Sequence, residues 1–292
     1  MLIYSVIFKF SRQERNESYF MARKIFAALM LLTLASCSYA ADIDLGEGYH
    51  VPHGFSGVYI ASSDGTAIQN AVDNIQDGGT IILSGSFKLT RDINIKKSIT
   101  IKAEDSNNKA VLEMTPGVNK RVFRCQGDSI TLENLVIKGG FTTNGGGVKV
   151  DAKTKLMTIT NCDIVNNRSV LGGGGLYSDA EKLVLTNCNI TSNDVSLLFG
   201  GGIMVTGGEF EMTDSNISGN NAFGRGGGIY FTGVTADMNN CRVTNNTSRA
   251  DGAGIYLYSK TLTLTKCNVS GNLNGNESSN IYADKNASYT EN

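Results

Sequence analysis

The sequence has no tryptophan, only two prolines and only two histidines among its 292 residues. The shortage of proline excludes collagen-like chains and proline-rich disordered chains, because both classes depend on that residue. The two histidines, His50 and His53, precede every repeat described below, so the repeats are not expected to carry histidine-centred catalysis. The formal net charge is −1, which provides no basic surface for nucleic acid.

Two markers recur with one period from about Ile130 onward. The first marker is the residue that follows a pair of alternating apolar residues: Leu135, Cys162, Cys188, Ser215, Cys241 and Cys267. Its successive copies are separated by 27, 26, 27, 26 and 26 residues. The second is the aliphatic residue after a glycine-rich run, with steps of 28, 27, 26, 26 and 26: Val148, Leu176, Ile203, Ile229, Ile255 and Ile281. Because two unrelated markers keep the same spacing, this region is a repeat array.

The repeats have the pattern of short strands. Alternation such as Leu262-Thr263-Leu264-Thr265 indicates one buried face. The glycine runs exclude helical repeats, because each glycine costs ~1 kcal/mol in a helix relative to alanine. The sequence therefore predicts an all-β, single-stranded right-handed parallel β-helix with three short strands per coil of about 26 residues. Such coils bury an apolar face only when they are stacked.

A short amphipathic helix is predicted to cap the stack. Ile68, Ala71, Val72 and Ile75 have the i, i+3, i+4, i+7 spacing of one helix face. The chain is thereby divided into a leader and signal peptide at 1–40, the cap and first coils at 41–129, the regular repeats at 130–282 and a C-terminal tail at 283–292. The repeat signal is weak after residue 278, so we expect the C-terminal end of the stack to be open.

The N-terminal segment has the features of a secretory signal. Arg23 and Lys24 precede an apolar run, and Met21 is the expected true start. Two processing sites fit: cleavage before Ala41, or a lipobox in which Cys37 is the lipidated residue. The protein is therefore expected to be exported, to the cell surface or outer membrane, the extracellular space or the periplasm. Lipidation would add a peripheral, lipid-anchored association with a membrane.

A column of asparagines marks one bend of each coil: Asn167, Asn193, Asn220, Asn246 and Asn272. Asparagine tolerates the left-handed backbone conformation that a sharp bend needs. Stacked identical amides also hydrogen-bond along a stack of strands. We interpret this column as a structural ladder.

Four cysteines occupy a second repeat position: Cys162, Cys188, Cys241 and Cys267. Neighbours in register would have Cα atoms ~4.8 Å apart, which is inside the disulfide range. The pairs Cys162–Cys188 and Cys241–Cys267 are therefore disulfide candidates in an oxidising compartment. The alternative is a column of buried free thiols, which pack as small apolar side chains.

Four tyrosines follow the inward aliphatic residue of the third strand: Tyr177, Tyr230, Tyr256 and Tyr282. Period-2 alternation predicts that they face outward. A row of outward aromatics could stack on sugars or contact a partner, and these four residues are the candidate ligand-binding set. The alternative is a stacked aromatic ladder that stabilises the sheet.

The sequence indicates no catalytic residue, no metal site and no cofactor. The Cys column lacks the histidines and the tetrahedral arrangement of a zinc site. Carboxylates in the repeats do not share one repeat position: Asp163, Asp179, Asp194, Asp214, Asp237 and Asp251. A compact carboxylate cluster on one face would favour a polysaccharide-cleaving enzyme, which is the main alternative function.

Two resemblances to known families follow from these motifs. The entry through Asp77-Gly78-Gly79-Thr80 resembles that of pectin-lyase-like β-helices over residues 64–103. The run Gly200-Gly201-Gly202-Ile203, paired with Ile190-Thr191-Ser192-Asn193, resembles the repeats of chlamydial polymorphic membrane proteins over residues 130–282. Here Phe of that family's Phe-x-x-Asn motif is replaced by Ile or Val.

The second resemblance implies surface exposure and adhesion. We therefore expect a non-enzymatic surface-exposed or secreted bacterial protein, an adhesin or host-interaction module. Its partner would be a host or cell-surface macromolecule, including glycans. The alternative is a β-helix that binds or degrades polysaccharide.

Overall fold

The computed structural model describes residues 56–60, 65–258 and 260–292. The leader, including Met21, Cys37 and both expected cleavage sites, lies outside the described residues, as do His50 and His53. Within the described residues, none of the helices has the length and apolar character needed to cross a membrane.

The strands form four sheets, which the chain visits in the same order in each regular coil. Sheet 1 contains Gly57–Ile60, Thr80–Leu83, Ile99–Ala103, Ser129–Glu133, Leu156–Thr160, Lys182–Thr186, Glu209–Thr213, Thr235–Asn239, Thr261–Thr265 and Ser288–Glu291. Sheet 2 contains Ser86–Leu89, Ala110–Met114, Leu135–Lys138, Asp163–Val165, Asn189–Thr191, Asn216–Ser218, Arg242–Thr244 and Asn268–Ser270. Sheet 3 contains Phe141–Asn144, Arg168–Gly172, Asp194–Val195, Asn221–Ala222, Thr247–Ser248, Leu273–Asn274 and Glu277–Ser278. Sheet 4 contains Ile93–Ile95, Phe123–Cys125, Val148–Val150, Leu176–Ser178, Ile203–Val205, Ile229–Phe231, Ile255–Leu257 and Ile281–Ala283.

Neighbouring strands in each sheet come from successive coils and pair in parallel, which confirms the predicted parallel β-helix. Thr158, for example, pairs with Val184 in the next coil and with Thr131 in the preceding coil. The exception is Glu277–Ser278, which pairs antiparallel with Leu273–Asn274. The stack has about nine turns and is right-handed, as almost all parallel β crossovers are.

The prediction of three strands per coil was wrong in the regular repeats, where sheet 3 supplies a fourth. Asp194–Val195 and Asn221–Ala222 have only two residues each. So short a strand shows no alternation along the sequence, and its pairing depends on the coils above and below. The core is otherwise as the alternation predicts, with Leu262 and Leu264 buried between half-exposed or exposed threonines.

Left-handed residues turn the chain at three corners of each regular coil between Ser129 and Leu257. Asn161, Asn166 and Gly173 are one such set, with φ of 51°, 55° and 59°. The ladder asparagines themselves are not left-handed: Asn166 precedes Asn167, and Gly219 precedes Asn220. The expectation that the ladder residue itself makes the bend was therefore wrong by one position. The residue before it adopts the left-handed conformation instead, because the side-chain amide of the ladder residue must point inward.

The ladder asparagines are fully buried and bonded to one another across coils. Oδ1 of Asn220 accepts hydrogen bonds from the backbone N–H of Asn193 at 2.9 Å and from its Nδ2 at 3.0 Å. Nδ2 of Asn220 in turn donates to the backbone oxygen of Ile190 at 2.9 Å and to Oδ1 of Asn246 at 2.9 Å. Each buried amide is thus satisfied by the coils on both sides, as buried polar groups require.

The helix Gly65–Asn74 packs on the first coils with its predicted apolar face. Ile68, Ala71, Val72 and Ile75 are all buried. Gln69 fixes the helix to sheet 4, because its Oε1 accepts from the backbone N–H of Asn94 at 2.7 Å and its Nε2 donates to the Asn94 oxygen at 3.2 Å.

The last coil is more exposed than those before it. Ile281–Ala283 extends sheet 4, and Ser288–Glu291 extends sheet 1, with all four residues of the latter exposed. The segment expected to be a tail therefore contributes a strand.

Replacing Asn220 by alanine tests the ladder. The change leaves the buried Asn193 N–H without its acceptor and removes three further buried hydrogen bonds, from Asn193 Nδ2 to Asn220 and from Asn220 Nδ2 to Ile190 and Asn246. A buried unsatisfied group costs about 1–3 kcal/mol and each other lost bond about 1 kcal/mol, so we expect the free energy of unfolding to fall by about 3 kcal/mol or more. The measurement is urea unfolding followed by circular dichroism. The control is Asn221→Ala, whose exposed amide bonds only surface groups. Equal midpoints for the two variants would show that the ladder does not stabilise the stack.

Candidate functional site

The tyrosine column lies along sheet 4 but is interrupted. In register, the outward row reads Arg124, Lys149, Tyr177, Met204, Tyr230, Tyr256 and Tyr282. Tyr230, Tyr256 and Tyr282 stack, with centroid distances of 5.3 Å and 5.0 Å and nearly parallel rings. Met204 separates Tyr177 from the other three.

Most of the stacked tyrosine surface is covered. Phe199 stacks on Tyr230 at 4.5 Å, and the Arg225 guanidinium lies 4.9 Å from the ring centroid of Tyr256. Tyr230 is only 8% exposed and Tyr256 only 3%, whereas Tyr282 is 39% exposed. Burial accordingly raises the pKa of Tyr230 and of Tyr256. This geometry favours the aromatic-ladder alternative, because Tyr282 is the one member of the stack with a large accessible area.

Tyr177 belongs instead to a polar cluster on the same face. The ammonium of Lys149 lies 5.7 Å from the Tyr177 ring centroid and 3.1 Å from Asp151. Arg124 pairs with the same carboxylate at 3.0 Å. On the next coil, Thr206 bonds both Asp179 and the Tyr177 hydroxyl. We call Arg124, Lys149, Asp151, Tyr177 and Asp179 the sheet 4 polar cluster.

The charges in this cluster act on one another. Burial tends to raise the pKa of Asp151, but hydrogen bonds and charge interactions with Lys149 and Arg124 outweigh it, and the pKa is lowered. Burial is also the main cause that raises the pKa of Tyr177. Asp151 is therefore an anion held between two cations, and Tyr177 is a neutral hydroxyl. Sequence reasoning missed this cluster, although the repeat provides a signal for it. Asp151 and Asp179 both stand three residues after the aliphatic marker of their coils, and Lys149 and Tyr177 directly follow that marker.

The six repeat aspartates named above lie on different faces, whereas Glu209, Glu211 and Asp237 share the outward face of sheet 1. Asp163 is in sheet 2 and Asp194 in sheet 3, while Asp214 sits at the corner between sheets 1 and 2. Glu211 and Asp237 are neighbours in register on the outward face of sheet 1. Among the described residues, no group of three or more His, Cys, Asp or Glu side chains is arranged to hold a metal ion.

The cysteine column is a set of free thiols in the structure. Three of the thiols donate hydrogen bonds to backbone oxygens at 3.3 Å: Cys162 to that of Thr160, Cys188 to that of Ile159 and Cys241 to that of Met212. Ser215 takes the same position in the intervening coil and accepts from the Cys188 N–H at 2.9 Å. Burial raises the pKa of Cys188 to about 11 and that of Cys241 to about 12. These thiols can pack against the core and donate hydrogen bonds. Because their pKa values are raised, few of them are present as thiolate, which is the reactive form.

An exposed apolar surface occupies the corner between sheets 3 and 4. Leu197, Leu198 and Phe223 are 52%, 40% and 47% exposed and come from adjacent coils. The Arg249 guanidinium lies 4.7 Å from the Phe223 ring centroid, and Arg225 lies on the neighbouring Tyr256. We call Leu197, Leu198, Phe223, Arg225 and Arg249 the corner patch. The only sequence signal for it is that these apolar residues stand in the loops before the glycine runs, where polar residues are usual.

Comparison with known proteins agrees with this architecture. A family model described as a right handed beta helix region matches residues 49–292. Comparisons with curated proteins and with solved structures gave no match. The family match supports the resemblance to pectin-lyase-like β-helices and does not confirm the resemblance to polymorphic membrane protein repeats.

Alkylation of the folded protein tests the state of the cysteines. At pH 8 we expect iodoacetamide to label Cys267, which is partly exposed, and to leave Cys125, Cys162, Cys188 and Cys241 unlabelled, because these four are buried. In urea without reductant all five should become labelled, as shown by peptide mass spectrometry. The matched control is the same urea reaction after reduction. If Cys162 and Cys188 react in urea only after reduction, the disulfide alternative is correct.

Proposed function

The chain belongs to the family of right-handed β-helix proteins, and we propose that it is an exported, non-enzymatic interaction module of adhesin type. This family's fold occurs both in enzymes such as pectate lyases and in proteins without enzymatic activity. The proposal therefore depends on the surface of this chain. Its partner would be a macromolecule of a host or cell surface, protein or glycan.

The corner patch is the observation that carries the proposal. Large apolar side chains that are exposed together commonly mark interaction sites. Aromatic and arginine side chains also provide a large share of binding energy at protein interfaces. Phe223 and Arg249 are already stacked on each other, so part of the side-chain ordering cost of binding is met before a partner arrives.

The position of the patch on the stack adds support. The backbone below it is held by bonds between coils, such as Gly224 N–H to the Leu198 oxygen at 2.7 Å and Phe223 N–H to the Val195 oxygen at 3.0 Å. A rigid backbone presents its side chains in fixed positions, which favours specific binding. The secretory leader predicted from the sequence and the resemblance to surface-protein repeats are the further support for proposing export to the cell surface.

A second candidate function is the binding or cleavage of an acidic polysaccharide. The sheet 4 polar cluster favours it, because Arg124 and Lys149 could contact a sugar carboxylate beside the hydroxyl of Tyr177. Asp151 already neutralises part of this positive charge, however. A polysaccharide would have to displace or share that ion pair, which makes this candidate the weaker one.

A binding assay with a matched pair of variants tests the proposal. The processed full chain, labelled, is applied to cultured epithelial cells and to an array of neutral and acidic glycans. We expect saturable binding that Phe223→Ser weakens by about tenfold or more, the usual effect of losing a central aromatic contact. The control is Leu156→Ser, because Leu156 is 36% exposed on sheet 1, outside the patch.

The same samples are checked for turnover of polygalacturonate and alginate, read as new reducing ends or unsaturated uronate ends. Binding that responds to Phe223→Ser without turnover supports the interaction module. Turnover that is lost in Lys149→Ala and Tyr177→Phe but retained in Phe223→Ser would overturn it in favour of the second candidate.

A further inference from the structure

A second surface on the same coils has the opposite charge to the corner patch. Glu209, Glu211 and Asp237 lie on the outward face of sheet 1, and Val234 beside them is 58% exposed. The side chains of Glu209 and Glu211 are 54% and 44% exposed. We call these four residues the acidic face. Lys182 pairs with the two glutamates, so the surface still has two negative charges in excess.

The corner patch carries the complementary chemistry. Arg225 and Arg249 contribute two positive charges next to exposed apolar side chains, and Asp251 in the same loop contributes one negative charge. Each surface therefore combines an apolar contact with charge, and the two net charges are opposite. Complementary charge of this kind guides encounter and fixes orientation, while the apolar contacts supply most of the affinity.

The two surfaces lie at the same level of the stack but on different sides. The corner patch lies on the coils of Asp194–Val195, Asn221–Ala222 and Thr247–Ser248, and the acidic face on those of Glu209–Thr213 and Thr235–Asn239. Sheet 2 separates sheet 1 from sheet 3 along the chain in these coils. One copy cannot bring its own two surfaces together, but a second copy lying alongside can bring its acidic face to the first copy's corner patch.

We propose that the partner of the corner patch is a second copy of this chain, bound through its acidic face. The contact joins two different surfaces, so it is heterologous and leaves one free surface on each copy. Association then continues into chains of copies side by side instead of ending at a dimer. The inference rests on the proposed function, because both make the corner patch the binding surface; in a chain of copies, only the corner patch at one end is free for a host macromolecule.

Charge reversal on each surface provides the test, with sedimentation velocity of the processed full chain as the readout. The wild type should form species that grow beyond the dimer with concentration and shrink with added salt, which screens exposed charges. Phe223→Ser should lower the association constant by about tenfold or more. Arg249→Glu alone and Asp237→Arg alone should each be monomeric, because each places like charges opposite each other.

A mixture of the Arg249→Glu and Asp237→Arg chains should assemble again, since each variant then offers the charge that the other requires. The control is Arg242→Glu, the same charge change on the exposed part of sheet 2, which should associate like the wild type. Urea midpoints equal to the wild type confirm that the variants are folded. A mixture that stays monomeric, or single variants that associate like the wild type, would overturn the inference.

The binding assay separates this inference from the proposed function. One outcome is a wild type that is monomeric in sedimentation and still binds cells or glycans through Phe223. That result would overturn the inference that the partner is a second copy, and it would support the proposed interaction module. Assembly by charge complementation without any binding to cells or glycans supports the second-copy partner and removes the host-directed role.

Discussion

The hydrogen bonding that keeps successive coils in register is the interaction on which the rest of the structure depends. A single coil buries too little apolar surface to be stable alone, so each coil needs its neighbours. The asparagine ladder enforces this dependence, because Asn193 and Asn220 complete each other's buried hydrogen bonds across the coil boundary. A shift of one residue would leave these amides unsatisfied and would also turn the apolar rows outward. The thiol column and the tyrosine stack exist because this register is fixed.

The periodic part of the fold could be predicted from the sequence, and the non-periodic part could not. The two markers at about 26-residue spacing determine the stack, and alternation determines which side chains face inward. The two-residue strands of sheet 3 have no alternation to reveal them. The left-handed position before each ladder residue was missed because glycine, asparagine and serine all occupy it, for example Gly219, Asn245 and Ser192. That position tolerates several residue types, whereas the ladder position, which bonds to both neighbours, requires asparagine.

The candidate site was harder to predict for a related reason. Alternation correctly places the tyrosines on the outer side of sheet 4, but it gives no information on what covers them. Phe199 and Arg225 both stand immediately before a glycine run, a repeat position whose residue type differs in every coil, and they bury Tyr230 and Tyr256. The same loops expose Leu197, Leu198 and Phe223. Packing constrains the inward positions of the stack, so binding specificity resides in the outward side chains and the corner loops. Residue types at these positions differ from coil to coil, and the repeat period therefore does not predict them.

Hydrogen–deuterium exchange of the backbone amides of Asn167, Asn193, Asn220 and Asn246 tests the central claim most directly, because these N–H groups donate to side-chain oxygens of the next coil. The account predicts that they exchange as slowly as the central amides of sheet 1, since both open only when coils separate. Exchange as fast as that of exposed loop amides would contradict it, because the ladder would then not hold the coils together.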